Sequence, residues 1–202
     1  MPPAICPNIP EMKPTENTLP NGTRRHRTSE VAGLALALFL MVFALFAPTL
    51  RYGLVNLDDT TYISNNALIH GGLSGAAVRA AFTPGKASAA IYTPLLWTSY
   101  RLDVECWNAA PDRPWGFHFT NVLLHALNAV LFFGLLYAAG RKPWRAFFFA
   151  ALWACHPMRV ESVAWITERK DVLSGFFALL SLAAYVQAVA PRSERMAHHR
   201  RL

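Results

Sequence analysis

FHFTNVLLHALNAVLFFGLLYAA, residues 117–139, is the stretch that decides the fold. No charged residue falls between Phe119 and Ala139. A helix of about 20 apolar residues is what the hydrocarbon layer of a bilayer requires. Four polar residues interrupt the run, His118, Asn121, His125 and Asn128, at spacings of three, four and three. Those spacings put them on one helical face, over about 15 Å of axis. Polar groups are expensive in lipid, so the face should point at other helices or at a wet cavity. Interhelical hydrogen bonding accounts for such a stripe and so does ligand binding; His118, at the outer end, is the member nearest a substrate.

Working outward, Arg141, Lys142 and Arg145 follow this run at once. A third apolar stretch, 146–157, meets His156-Pro157, and a fourth, 172–190, carries no charge and is followed by Arg192, Arg195, Arg200 and Arg201. On the other side a first run, 31–50, is preceded by Arg24, Arg25, His26 and Arg27. A basic flank before an apolar run also describes a signal peptide. This run is too long for one, and Ala47-Pro48 is a poor cleavage site.

The three basic clusters alternate with the four spans, so the positive-inside rule puts both ends of the chain in the cytoplasm. The fold class expected is therefore all-α integral membrane, with about four transmembrane helices. Residues 1–30, rich in proline, read as a disordered cytoplasmic tail, 31–190 as the membrane domain and 191–202 as a basic cytoplasmic tail. Extracytoplasmic loops follow at 51–117 and 158–171. The long one holds two amphipathic pieces, Leu73 to Phe82 and Pro94 to Trp107. Its tryptophans, with Trp115, suit either the headgroup layer or a packed core. The third span must stop near Pro157. Carrying it through Glu168–Asp171 would bury four charges at roughly 2.5–3.5 kcal/mol for each central Asp, Lys or Arg.

Composition agrees. In 202 residues, 53% are hydrophobic and 15% charged, too few charges to coat a soluble domain. The net charge of +7 might indicate nucleic acid. Its Lys and Arg sit in short groups beside the apolar runs, which is topology and not a nucleic-acid groove. Cys6, Cys106 and Cys155 are far apart, without the spacing of a metal or disulfide framework. A small transporter or channel is disfavoured, because the spans hold no acid and show no repeat symmetry.

Two further groups carry possible chemistry. Asp58-Asp59 follows the first span and could bind a divalent metal, act as a general base, or cap a turn. His156-Pro157-Met158-Arg159-Val160-Glu161-Ser162 and Glu168-Arg169-Lys170-Asp171 lie between the last two spans. Arg169 and Lys170 suit a phosphate, Glu161 or Asp171 a metal or a base; self-paired surface charges are the alternative.

With FHFTNVLLHALNAVLF at 117–132 and HPMRVESVAWITERKDVLS at 156–174, these residues resemble membrane glycosyltransferases of the GT-C type. The likeness is closest to TMTC-type protein O-mannosyltransferases and their bacterial tetratricopeptide-repeat relatives, over about residues 52–187. The resemblance implies transfer of a polyprenyl-phosphate-linked sugar on the extracytoplasmic face. Asp58 or Asp59, with Asp59 slightly favoured, would deprotonate the acceptor, with or without a divalent metal. His118, His156, Glu161, Arg169, Lys170 and Asp171 would line the same cavity, Arg169 and Lys170 against the lipid phosphate. It also implies a multi-pass protein of the cell membrane, leaning to a bacterial inner membrane. The family's membrane region has many more spans. The expectation is thus an N-terminal fragment, inactive alone and completed by missing helices or a partner chain. A non-catalytic four-helix protein that binds a lipid or a partner is the alternative.

Overall fold

The computed structural model describes residues 21–69, 73–84 and 92–189. Residues 1–20 and 191–202, where the sequence reading put most of the two tails, lie outside them. Among the described residues the regular structure is helical: α1 Asn21–Phe46, α2 Gly75–Ala81, α3 Pro94–Trp107, α4 Trp115–Gly140, α5 Pro143–Ala154, α6 Arg159–Ala164 and α7 Arg169–Val189.

The first helix starts at Asn21 and not at Val31, so residues 21–30 are helix rather than tail. Elongating a nucleated helix costs little per residue. Partners also hold this polar extension: the Arg27 guanidinium donates to the Arg141 carbonyl at 2.6 Å, and Trp144 Nε1 donates to Glu30 at 2.8 Å. These two bonds place the start of α1, the end of α4 and the start of α5 at one end of the bundle, and with them Arg27, Arg141, Lys142 and Arg145. At its far end α1 tightens into a 3-10 turn, Ala47–Arg51, where Pro48 lacks the N–H an α-helix would use.

Three helices are long and apolar enough to cross a membrane: His26–Arg51, counted through the 3-10 turn, Trp115–Gly140 and Arg169–Val189. The expected span 146–157 is α5, whose 12 residues cover about 18 Å, against roughly 30 Å of hydrocarbon. His156-Pro157 ends it, because a residue before proline is pushed out of helical conformation. The chain nevertheless returns to the starting end of α4. Ala154 lies beside His125, Trp165 beside Asn121 and Arg169 beside Phe117. The return path is α5, a turn, α6 and a second turn, in place of one long helix. By the same contacts α7 runs parallel to α4.

The packing follows helical periodicity. Leu34, Leu38, Val42 and Phe46 on α1 meet Val122, Ala126, Ala129 and Phe133 on α4, and Ala146, Ala150 and Ala154 on α5 complete the cluster. In lipid, helix association rests on close packing, and an alanine stripe lets α5 approach its neighbours closely. The opposite faces expose Leu36, Leu40, Phe148, Phe149, Leu152, Leu182 and Tyr185. Outward apolar faces on α1, α5 and α7 suit a lipid surround.

A second core forms at the other end, where the first long loop folds over α4. Ile63, Ile69, Leu96, Trp97, Tyr100, Phe117 and Ile166 are buried there together. Trp97 thus serves as core, while Trp107 and Trp115 both pack edge-on against Phe119. The elbow between α3 and α4 is tight. A Cβ on Gly116 would stand 2.6 Å from that of Trp107 and 3.0 Å from that of Ala109. Gly116→Ala should therefore force the elbow open and lower stability by about 1–3 kcal/mol. The control is Gly134→Ala, whose Cβ meets nothing within 4 Å. Thermal unfolding in detergent should show the first midpoint fall and the second stay near wild type.

Candidate functional site

The two adjacent acids have different environments. Asp59 is fully buried. Its Oδ2 accepts from the Val55 N–H at 2.8 Å, and its Oδ1 accepts from Trp165 Nε1 at 3.1 Å and the Thr167 N–H at 3.2 Å. It therefore ties the first loop to the turn that precedes α7. Asp58 is exposed and makes no hydrogen bond or ion pair with the described residues.

The polar stripe of α4 is buried along its whole length. His125 Nε2 pairs with the Ala154 carbonyl at 2.9 Å. Asn121 Nδ2 donates to the carbonyls of Val163 at 3.3 Å and Trp165 at 3.1 Å, and Asn128 Nδ2 donates to Val172 at 2.8 Å. The last carbonyls of any helix have no partner within it. Here α5 and α6 end inside the bundle, and His125 and Asn121 satisfy carbonyls at those ends. The stripe is what permits a 12-residue helix to stop there. His118 differs: neither ring nitrogen makes a hydrogen bond, although Tyr52 and Ala164 lie near it.

Arg169, expected from sequence to grip a lipid phosphate, points inward and is fully buried. Its Nη2 is 2.5 Å from Asp103 Oδ2 and donates to the Phe117 carbonyl at 2.7 Å. Nε donates to Asn121 Oδ1 at 2.7 Å and Nη1 to Ser99 Oγ at 3.2 Å. Its guanidinium also stacks 4.5 Å from the centre of the Tyr100 ring. With its donors engaged on two helices, α3 and α4, Arg169 is a structural post and not an open anion site.

Burial pushes the Tyr100 phenol far above its ordinary value, against the lowering pull of Arg169. It stays protonated and donates to the Ile166 carbonyl at 3.0 Å. Desolvation likewise raises the Asp103 carboxyl, opposed by Arg169 and by the Thr120 hydroxyl, which donates to it at 2.5 Å.

The other expected residues remain on the surface. His156 is exposed, and its Nδ1 accepts from the Met158 N–H at 3.2 Å. Glu161 is exposed. Lys170 pairs with Glu168 at 2.8 Å, and Asp171 accepts from Ser162 Oγ at 3.1 Å. Sequence reasoning missed Asp103. Its signal was its place on the buried face of α3, seven residues after Leu96 and three after Tyr100. It also missed Arg159, which borders two cavities with Phe132 and Trp153.

Both Asp59 oxygens face N–H donors, so within the acid pair Asp58 alone offers an unengaged carboxylate to a divalent metal. Among the described residues no group of three or more His, Cys, Asp or Glu is placed to hold a metal ion.

The relatives bear on this arrangement. Protein O-mannosyl-transferase TMTC2 of Mus musculus is 36% identical over 101 residues, 50% of this chain and 12% of that protein. Protein O-mannosyl-transferase TMTC4 of Homo sapiens is 33% identical over 120 residues, 53% of this chain and 16% of its own length. Protein O-mannosyl-transferase Tmtc2 of Drosophila melanogaster is 30% identical over 155 residues, 73% of this chain and 16% of that protein. These matches span no more than 16% of the curated relatives' length. No family model and no solved structure matches the chain. On the shared stretch, the chain is a partial homologue of the TMTC-type protein O-mannosyl-transferases and thus a TMTC-like glycosyltransferase relative.

Proposed function

We propose that the chain supplies the acid pair and the lipid-carrier side of a GT-C-type site, which moves a sugar from polyprenyl phosphate to an acceptor hydroxyl. The observation that carries this reading is the division of labour in the pair: Asp59 is locked by three donors while Asp58 beside it is free. A general base needs an open carboxylate held at a fixed place.

Asp58 takes the proton of the acceptor hydroxyl, and that oxygen attacks the anomeric carbon. The bond from that carbon to the phosphate oxygen breaks, and polyprenyl phosphate leaves with the electron pair. The basic end of the bundle, with Arg27, Arg141, Lys142 and Arg145, is the cytoplasmic one by the positive-inside rule. The acid pair, at the opposite end, then faces the extracytoplasmic side of the cell membrane. Because the matched stretch is a small part of the relatives, further helices or a partner chain complete the acceptor site.

The test uses membranes of the source cell with this gene deleted, supplied with a polyprenyl-phosphate-linked sugar. Restoring the wild-type chain should restore transfer to protein. Full transfer in the deletion membranes, or transfer only from a nucleotide sugar, rejects the reading and favours a non-catalytic lipid-binding or partner-binding role.

A further inference from the structure

Arg159 is the counterpart of Arg169 with its donors unspent. It opens α6, and its guanidinium lies 5.0 Å from the centre of the Trp153 ring. Its Nε is buried and makes no hydrogen bond, and among the described residues Arg159 has no ion pair. A guanidinium held against an aromatic face presents its planar fork of donors, the geometry that suits phosphate.

Two cavities meet at Phe132, Trp153 and Arg159. The larger, of about 630 Å³, is a furrow between α4 and α5 walled by Leu136, Phe149 and Leu152, with His156 and Met158 at its mouth. It is apolar apart from His156 and Arg159, and it follows the seam of the two helices toward the basic end. The smaller, of about 220 Å³, is also walled mostly by apolar side chains, Phe132, Val172 and Leu179 among them, with Asn128, Ser162 and Asp171 as its polar groups. A cation therefore stands where an apolar furrow meets a smaller cavity that carries a few polar groups.

We infer that Arg159 seats the phosphate of a polyprenyl-phosphate lipid, with the chain in the α4–α5 furrow. This rests on the transfer reading above and relocates the phosphate from Arg169, which is committed elsewhere. One furrow takes one chain, which favours a single-chain isoprenoid phosphate over a two-chain phospholipid.

The test is binding of a C55 polyprenyl monophosphate to the full chain in neutral phosphatidylcholine nanodiscs, with the matching polyprenol and phosphatidylglycerol as comparisons. The wild type should bind the phosphate at least tenfold more tightly than the polyprenol, and phosphatidylglycerol should compete poorly. Arg159→Gln should remove most of that tenfold preference. Leu152→Trp, at a wall position 56% exposed and so tolerant of change, should weaken binding by filling the furrow while keeping the phosphate preference. Wild-type affinity in a folded Arg159→Gln overturns the seat and leaves the transfer reading standing. No binding by the wild type overturns both. Equal competition by phosphatidylglycerol assigns the site to anionic lipids at large and overturns the committed occupant. If Arg159→Gln does not fold, Leu152→Trp decides, and unchanged binding there overturns the furrow.

Discussion

Asp103→Ala should destabilise the chain by about 3–5 kcal/mol, as breaking one side of a buried ion pair does. Its partner Arg169 is fully buried, so removing the carboxylate leaves a cation with neither counter-ion nor water. Net stabilities run at about 5–15 kcal/mol, which makes this loss a large share of the total. The remaining bonds of Arg169, to Asn121, Ser99 and the Phe117 carbonyl, supply dipoles but no charge. The double change Asp103→Leu with Arg169→Met should recover much of the loss, because a buried pair replaced by apolar side chains is often near neutral. Recovery should be incomplete, since the Phe117 carbonyl and Asn121 Oδ1 lose their donor. Denaturation in detergent, followed by protease resistance of the loop that carries α3, measures both. An Asp103→Ala chain within 1 kcal/mol of wild type would mean that Arg169 finds water, and that α3 is not pinned to α4 and α7 as described.

The same pair shows where sequence ceases to be readable. The long apolar helices were legible because lipid imposes a local requirement, about 20 residues without charge. The stripe of His118, Asn121, His125 and Asn128 was legible as a face because helical spacing is local too. What that face binds was not. Its partners Ala154, Val163, Trp165 and Val172 are backbone carbonyls that any sequence would offer. The extent of α5 was half legible: His156-Pro157 marks its end, but the bonds that make a short helix tolerable come from α4. Arg169 was misplaced for a similar reason. An arginine beside Glu168, Lys170 and Asp171 reads as one of a surface group. Its true counter-ion lies 66 residues away on an amphipathic helix. Arg159 carried no local sign at all, because its setting is made by Trp153 and the seam of two helices.

The acid pair should separate into two phenotypes. Asp58→Asn should leave the fold intact and lower transfer by about 10²–10⁴, the range a positioned general base contributes. The group is exposed and unpaired, so the isosteric amide disturbs no contact while removing the proton acceptor. Asp59→Ala should act through structure. It leaves the Val55 N–H, Trp165 Nε1 and the Thr167 N–H without their acceptor, at about 1–3 kcal/mol for each donor that stays buried and unsatisfied. The first loop then loses its hold on the turn before α7, and Asp58 loses its fixed place. Asp59→Asn falls between the two. Its amide oxygen can keep the bonds to Trp165 and Thr167, but its NH₂ would face the Val55 N–H, donor against donor. Hydrogen exchange at the Val55 and Thr167 amides distinguishes the cases. It should be unchanged in Asp58→Asn, faster at Val55 in Asp59→Asn, and faster at both in Asp59→Ala. Transfer in the deletion membranes should follow that order only for the Asp59 variants, with Asp58→Asn inactive despite native exchange. The reverse pattern, an active Asp58→Asn beside an inactive Asp59→Asn with native exchange, would make Asp59 the base. Its carboxylate would then have to leave a seat of three donors before it could take a proton, and loop opening would become a step of the reaction.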